Sequence, residues 1–114
     1  EYLQITPVND AEGILQDMHW SDGSFGYFPS YLLGSIYDGM YLDSIEAELG
    51  SVDALLAEGR IGEITKWLNE KIHQYGSTRS PKEVISHVCG KEVSAEPLIR
   101  YFKKKYTEVY HLDL

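Results

Sequence analysis

The sequence predicts an all-α fold: a compact helical domain of about five helices, preceded by an irregular segment rich in aromatic residues. Three observations support this prediction. From residue 29 onward, apolar residues recur at intervals of three and four, which is the spacing of one helix face. Capping residues and glycines divide this stretch into helix-length pieces. The 114 residues suit one hydrophobic core, and the single Cys89 excludes an internal disulfide while fitting a reducing cytosol.

The first predicted helix is the longest and covers residues 29–49. Pro29 suits a first helical turn, and Gly50 suits the left-handed residue that follows a last turn. The apolar face of this helix consists of Leu33, Ile36, Tyr37, Met40, Tyr41 and Ile45.

Two shorter helices are predicted next. Ser51 is a candidate N-cap for a helix over residues 52–58, which Gly59 ends. A second stripe, with Trp67 beside it, predicts a helix that extends to residue 72; its members are Ile61, Ile64, Leu68 and Ile72.

The last two predicted helices begin at serines. Ser80 and Glu83 have the spacing of a capping box, so a helix is expected from there to Gly90. Ser94 is expected to cap the final helix, whose stripe is Leu98, Ile99, Phe102, Tyr106, Val109 and Tyr110.

Residues 1–28 are predicted to be different, because glycines and prolines interrupt them. A short helix is expected near residues 11–18, followed by an irregular loop crowded with aromatic side chains. An acid, an amide and a histidine lie among glycines that allow a ligand to approach the backbone closely. This composition is typical of a substrate-contacting loop. The other interpretation is a histidine held by local hydrogen bonds beneath Trp20.

Charge is distributed unevenly along the chain. Residues 1–59 contain eleven acids and no lysine or arginine, whereas residues 60–114 contain all ten basic residues and seven acids. The acidic half cannot offer the concentrated basic surface that nucleic acid requires. The only basic run, Lys103 to Lys105, is expected to be solvated surface. No window is apolar enough to cross a membrane, so neither nucleic acid nor membrane is predicted as a partner.

One string in the first segment is distinctive. GILQDMHW, at residues 13–20, resembles the Gly-x-x-Gln-Asp-x-His-Trp signature of the carboxypeptidase Taq family of zinc-dependent metallocarboxypeptidases. The following SDGSFGYFPSYLLG is similar to the continuation of that signature. Similarity extends through SPKEVI at residues 80–85 and EPLIRYF at residues 96–102, so the resemblance covers nearly the whole chain.

The resemblance implies an all-helical enzyme that is much longer than this chain. In the family, zinc is held by the two histidines of a His-Glu-x-x-His helix and by a later glutamate. The chain lacks this motif and does not begin with methionine, so we expect a C-terminal fragment without metal ligands. Residues 1–28 would form a wall of the active site and residues 29–114 the helices.

The resemblance also implies roles for particular residues. His19 would lie at the catalytic cleft, and Tyr31, or else Tyr27, would donate its hydroxyl to the tetrahedral intermediate. Asp17 and Gln16 would orient their neighbours, with Asp17 fixing the tautomer of His19. Core packing is the competing role for both tyrosines.

The functional prediction is therefore part of a zinc carboxypeptidase that removes C-terminal residues from peptides. Its partners would be peptide substrates, the rest of the parent chain and, as the family implies, a second subunit of a cytoplasmic homodimer. The fragment alone is predicted to bind no zinc and to be inactive. The alternative is a non-catalytic helical module for protein interaction.

Overall fold

The computed structural model describes residues 4–113, and these form two compact units, one ending at Leu32 and the other beginning at Leu33. Within residues 4–113 the secondary structure is entirely helical. The helices are α1 (Met18–Ser21), α2 (Phe28–Leu49), α3 (Val52–Ala57), α4 (Ile61–Lys71), α5 (Pro81–Cys89) and α6 (Glu96–Tyr110). The all-α prediction is confirmed, and five of the helices begin at or after residue 28.

The first unit is built from short turns. Two 3₁₀ turns, Asp10–Glu12 and Ile14–Gln16, precede α1. The prediction of one short helix near residues 11–18 is therefore wrong, because two separate 3₁₀ turns occupy most of this segment. Gly13 separates the two turns with non-helical φ and ψ of −116° and −116°, and Asp17 adopts an extended conformation. An α-helix cannot continue through either residue.

The second unit has a small core. The buried apolar side chains come from four helices: Met40 and Ile45 from α2, Leu55 from α3, Trp67 from α4, and Val84 and Ile85 from α5. The helix α6 has no buried residue. The predicted stripe on α4 was only partly right, because Trp67 is buried whereas Ile61 in the first turn is 61% exposed.

Local capping follows the sequence closely in this unit. The Ser51 hydroxyl accepts a hydrogen bond from the Ala54 amide at the start of α3. Gly90 ends α5 in the left-handed conformation, with φ of 62°. At the start of α6, the Ser94 hydroxyl accepts from the Glu96 amide at 3.2 Å, although Ala95 is the residue that immediately precedes the helix.

No helix in the described part of the chain is both long and apolar enough to cross a membrane.

The capping box of α5 gives a prediction about stability and pH. The Glu83 carboxylate accepts hydrogen bonds from the Ser80 hydroxyl at 2.6 Å and the Ser80 amide at 2.7 Å, and these bonds lower the pKa of Glu83. Replacing Ser80 with alanine should lower the free energy of unfolding by about 1 kcal/mol, as loss of an N-cap does. The measurement is urea unfolding followed by circular dichroism.

The pH dependence of this effect has a definite sign. Because the pKa of Glu83 is lower in the folded state, its contribution is present above the unfolded pKa and is lost as pH falls through the folded value. Acidification below 4.5, the ordinary value for glutamic acid, should therefore destabilise the wild type more than Ser80→Ala. The matched control is Glu83→Gln, which keeps the capping box but cannot titrate. Equal acid sensitivity in all three proteins would contradict this account.

A second prediction concerns the contact between α2 and α6. A Cβ atom placed on Gly39 would lie 2.8 Å from the backbone nitrogen of Leu98, closer than van der Waals packing permits. Gly39→Ala should therefore destabilise the chain by about 1–3 kcal/mol in urea unfolding.

Gly34, in the same helix, is the matched control for Gly39. A Cβ atom there would meet nothing within 4 Å, so Gly34→Ala should stabilise by about 0.5–1 kcal/mol through helix propensity alone. If both alanines stabilised the protein equally, the two helices would not be in close backbone contact.

Candidate functional site

The Asp17 carboxylate makes two contacts with His19 in the first unit. Its extended backbone places the carboxylate over the start of α1, where Oδ1 accepts a hydrogen bond from the His19 amide at 2.9 Å. The same oxygen lies 3.0 Å from Nδ1 of the His19 ring. One carboxylate oxygen therefore contacts both the first turn of the helix and the imidazole ring.

The other nitrogen of His19 contacts Tyr31. His19 Nε2 lies 3.2 Å from the Tyr31 hydroxyl, although the residues are twelve positions apart. The loop between α1 and α2 makes this contact possible, because Gly23 and Gly26 adopt positive φ angles of 86° and 73°. Such angles are unfavourable for other residues, and they reverse the chain within a few positions.

Aromatic rings surround the His19 imidazole. Tyr27 stacks on it, with ring centroids 5.6 Å apart and planes 22° apart. Phe28 and Tyr31 approach edge-on, at centroid distances of 5.2 Å and 5.9 Å. Since Tyr27 also packs edge-on against Tyr31, at 5.2 Å, the rings restrict each other's rotation. Packing of this kind holds the two polar contacts of His19 in place.

His19 and Phe28 border an open groove of about 480 Å³, whereas Tyr27 and Tyr31 are not among the residues that line it. The residues that line it come from the second 3₁₀ turn, α1, the residues that precede these two elements, and the first residue of α2: Gly13, Ile14, Gln16, Asp17, Met18, His19, Trp20 and Phe28. Ligand sites typically combine mostly apolar walls with a few fixed polar groups. The groove has this character, and Asp17 and His19 are its charged or titratable members.

Gln16 lines the groove, and its side chain forms a hydrogen bond with the backbone of the first 3₁₀ turn. Its side-chain amide donates to the Ala11 carbonyl at 2.5 Å, which ties the two 3₁₀ turns together. Gln16 therefore holds the backbone that precedes Asp17.

Asp22 and Phe28 are site residues that the sequence reasoning missed. The Ser24 hydroxyl and amide lower the pKa of Asp22, and the charge of His19 adds to this effect. Asp22 therefore stays negatively charged near the histidine. The signal for Phe28 was its position three residues before Tyr31, which places both on one face at the start of a helix.

The described residues do not fit a zinc ion. Within residues 4–113, no three histidine, cysteine, aspartate or glutamate side chains come together in a way that could hold a metal. His19 has its nitrogens engaged by Asp17 and Tyr31.

Comparison with known proteins places the chain among the metallopeptidases. It belongs to the carboxypeptidase Taq (M32) metallopeptidase family, whose model matches residues 1–106. The family resemblance inferred from the GILQDMHW motif is thereby confirmed.

Two curated relatives show the extent of the similarity. Carboxypeptidase 1 of Bacillus subtilis is 45% identical over 112 residues, which is 98% of this chain and 22% of that protein. Thermostable carboxypeptidase 1 of Thermus thermophilus is 36% identical over 110 residues, or 96% of the chain and 22% of that protein. The chain thus spans about a fifth of the length of these relatives.

Solved structures share the fold. The crystal structure of BsuCP superposes with a TM-score of 0.84 at 45% identity, covering 94% of this chain and 22% of that one. The structure of CHT gives a TM-score of 0.82 at 33% identity, covering 92% and 21%. The helical architecture described above is therefore the one found in family members.

Proposed function

We propose that the chain forms the C-terminal part of a zinc-dependent metallocarboxypeptidase, which hydrolyses C-terminal residues from peptides. Family membership supports the peptidase class, and both curated relatives are named carboxypeptidases. The observation that carries the role of this chain is the hydrogen-bonded series Asp17, His19 and Tyr31, of which Asp17 and His19 line an apolar groove.

Tyr31 is the residue we place closest to the chemistry. A tyrosine hydroxyl that faces the scissile peptide can donate to the carbonyl oxygen as negative charge develops on it. His19 fixes the position of that hydroxyl, and Asp17 fixes His19. Tyr27 stays the second candidate for the donor, because its ring packs against both His19 and Tyr31. Gln16 supports the turn that carries Asp17.

The metal ligands belong, in this proposal, to the rest of the parent chain. No set among the described residues could supply them, so this chain contributes a wall of the cleft. Peptide substrates are the ligands, and a cytoplasmic homodimer is the expected form of the parent.

Exposed apolar side chains support the proposal that another part of the parent protein packs against this chain. In the first unit, Met18 is 80% exposed and Phe25 is 71% exposed. In the second unit, Phe102 stacks on Tyr106, which in turn packs against Tyr110, and all three are exposed on α6. Exposed apolar surface on this scale marks an interaction site, which we assign to the remainder of the parent protein.

The test compares the 114-residue chain with the complete product of its gene. The complete protein should release C-terminal residues from peptides with a free carboxylate, spare the same peptides with a C-terminal amide, and lose activity to a chelator that zinc restores. The isolated chain should show no turnover and no stoichiometric zinc by mass spectrometry of metals.

Two results would overturn the proposal. One is a tightly held zinc ion, or peptide hydrolysis, in the isolated chain. The other is a natural gene product that begins near residue 1, which would instead favour the non-catalytic interaction module.

A further inference from the structure

His19 is held at both ring nitrogens by groups of different character. Asp17 Oδ1, 3.0 Å from Nδ1, belongs to a carboxylate that accepts hydrogen bonds and cannot donate when ionised. Nδ1 must therefore carry a proton for this contact to be favourable. In neutral His19 the lone pair is then on Nε2, the atom that faces the Tyr31 hydroxyl at 3.2 Å.

The direction of the hydrogen bond to Tyr31 follows from this assignment. With neutral His19, the only proton available for the contact is that of the Tyr31 hydroxyl, so Tyr31 donates to Nε2. The outward side of its oxygen then offers lone pairs alone. When His19 takes up a proton at Nε2, the ring becomes the donor and the Tyr31 oxygen accepts. The hydroxyl proton of Tyr31 is then free to be donated elsewhere.

We propose that protonation of His19 at Nε2 converts the outward face of Tyr31 from a hydrogen-bond acceptor into a donor, with Asp17 as the positioning residue that confines titration to Nε2. The group that would accept a hydrogen bond from the Tyr31 hydroxyl is the carbonyl oxygen of a peptide substrate. Only this part of the inference rests on the function proposed above. No covalent bond changes apart from that to the proton, which comes from solvent.

The surroundings of His19 are consistent with this arrangement. The titratable groups that face it are Asp17 at Nδ1, Tyr31 at Nε2, Tyr27 stacked on the ring, and Asp22, whose charge interacts with it. Asp17 alone accepts from Nδ1. Replacing Asp17 therefore changes which nitrogen is protonated without removing the contact with Tyr31.

The chain contains its own comparison pair. His87 Nε2 lies 3.1 Å from the Tyr75 hydroxyl, and the two rings meet edge-on at 5.8 Å, much as His19 and Tyr31 do. Among the described residues, however, no carboxylate lies within ion-pair distance of His87, whereas Asp17 Oδ1 lies 3.0 Å from His19 Nδ1. The two histidine–tyrosine pairs therefore differ in the carboxylate that, in this proposal, determines which ring nitrogen is protonated.

The experiment is nuclear magnetic resonance of the 114-residue chain with ¹⁵N-labelled histidine and tyrosine labelled with ¹³C at Cζ. Signals are assigned from His19→Gln and Tyr31→Phe, and spectra are recorded across the pH range in which histidines titrate. Neutral His19 should carry its proton on Nδ1. The Tyr31 Cζ shift should change at the same midpoint as His19, because the hydroxyl changes from donor to acceptor there.

Two variants isolate the contribution of Asp17. Asn and Ser both serve as N-caps, so Asp17→Asn and Asp17→Ser should keep α1 while removing the carboxylate from Nδ1. We expect the ratio of Nδ1-protonated to Nε2-protonated neutral His19 to fall roughly tenfold in both, as loss of a charge-assisted hydrogen bond predicts. The His87 signals should not change.

The inference is overturned if neutral His19 carries its proton on Nε2 in the wild type, or if the Tyr31 Cζ shift does not follow His19. These results do not depend on catalysis, so they separate the inference from the proposed function. The expected spectra together with unaltered peptide hydrolysis by Tyr31→Phe in the complete protein would refute the catalytic role proposed for Tyr31 and leave the inference about its hydrogen bond with His19 standing.

Discussion

Replacing Tyr31 with phenylalanine in the complete protein is expected to lower the kcat of the proposed peptide hydrolysis by about 10²–10³, with little change in KM. The substitution removes one hydroxyl and keeps the ring that packs against Tyr27 and His19. Loss of a single donor to a developing oxyanion has an effect of this size, because the donor acts mainly in the transition state. Steady-state kinetics with a chromogenic C-terminal peptide would measure it.

The matched control is Tyr27→Phe. The Tyr27 ring stacks on His19 at 5.6 Å, whereas the Tyr31 hydroxyl contacts the imidazole directly, so loss of the Tyr27 hydroxyl should lower kcat less than about tenfold. Kinetic effects in the opposite order would identify Tyr27 as the donor. Equal and small effects of the two changes would remove both tyrosines from the reaction.

Replacing Ile85 with alanine should have the largest effect on stability. Ile85 is the one side chain of the described residues that is completely enclosed, with 0% exposure. Its truncation leaves a cavity in the core of the second unit and should lower the free energy of unfolding by about 2–5 kcal/mol. Since a domain of this kind has about 5–15 kcal/mol in total, urea unfolding would show a large shift of the midpoint.

Leu56 offers the comparison for Ile85. It is 50% exposed on α3, so Leu56→Ala removes a similar side chain without creating an enclosed cavity. A loss below about 1 kcal/mol is expected. If Leu56→Ala were as destabilising as Ile85→Ala, the burial of Ile85 would not explain the loss of stability.

Local sequence signals predicted the helices of the second unit well, because their ends depend on contacts within a few residues. The capping box of Ser80 and Glu83, the Ser51 cap and the left-handed Gly90 all have the geometry that their positions indicated. The residue that α4 buries could not be predicted in the same way. Trp67 is buried whereas Ile61 is exposed. Which side chain a helix buries depends on its tertiary neighbours, and the periodicity of one helix does not specify them.

The candidate site shows the same division between local and distant contacts. The contact of Asp17 with His19 spans two residues and could be predicted from the sequence. Tyr31 came from the family resemblance alone, since its contact with His19 depends on the turn at Gly23 and Gly26. Phe28 and Asp22 were missed because neither is a fixed residue of the Gly-x-x-Gln-Asp-x-His-Trp signature, and only the folded loop brings them close to the imidazole.

The lack of any buried residue in α6 has a consequence for hydrogen exchange. Backbone amides in α6 should exchange with solvent deuterium through local opening at a small free-energy cost, whereas those around Ile85 should exchange only when the whole unit unfolds. A substitution that weakens α6 should therefore speed exchange of the α6 amides through local opening, without requiring the core around Ile85 to unfold.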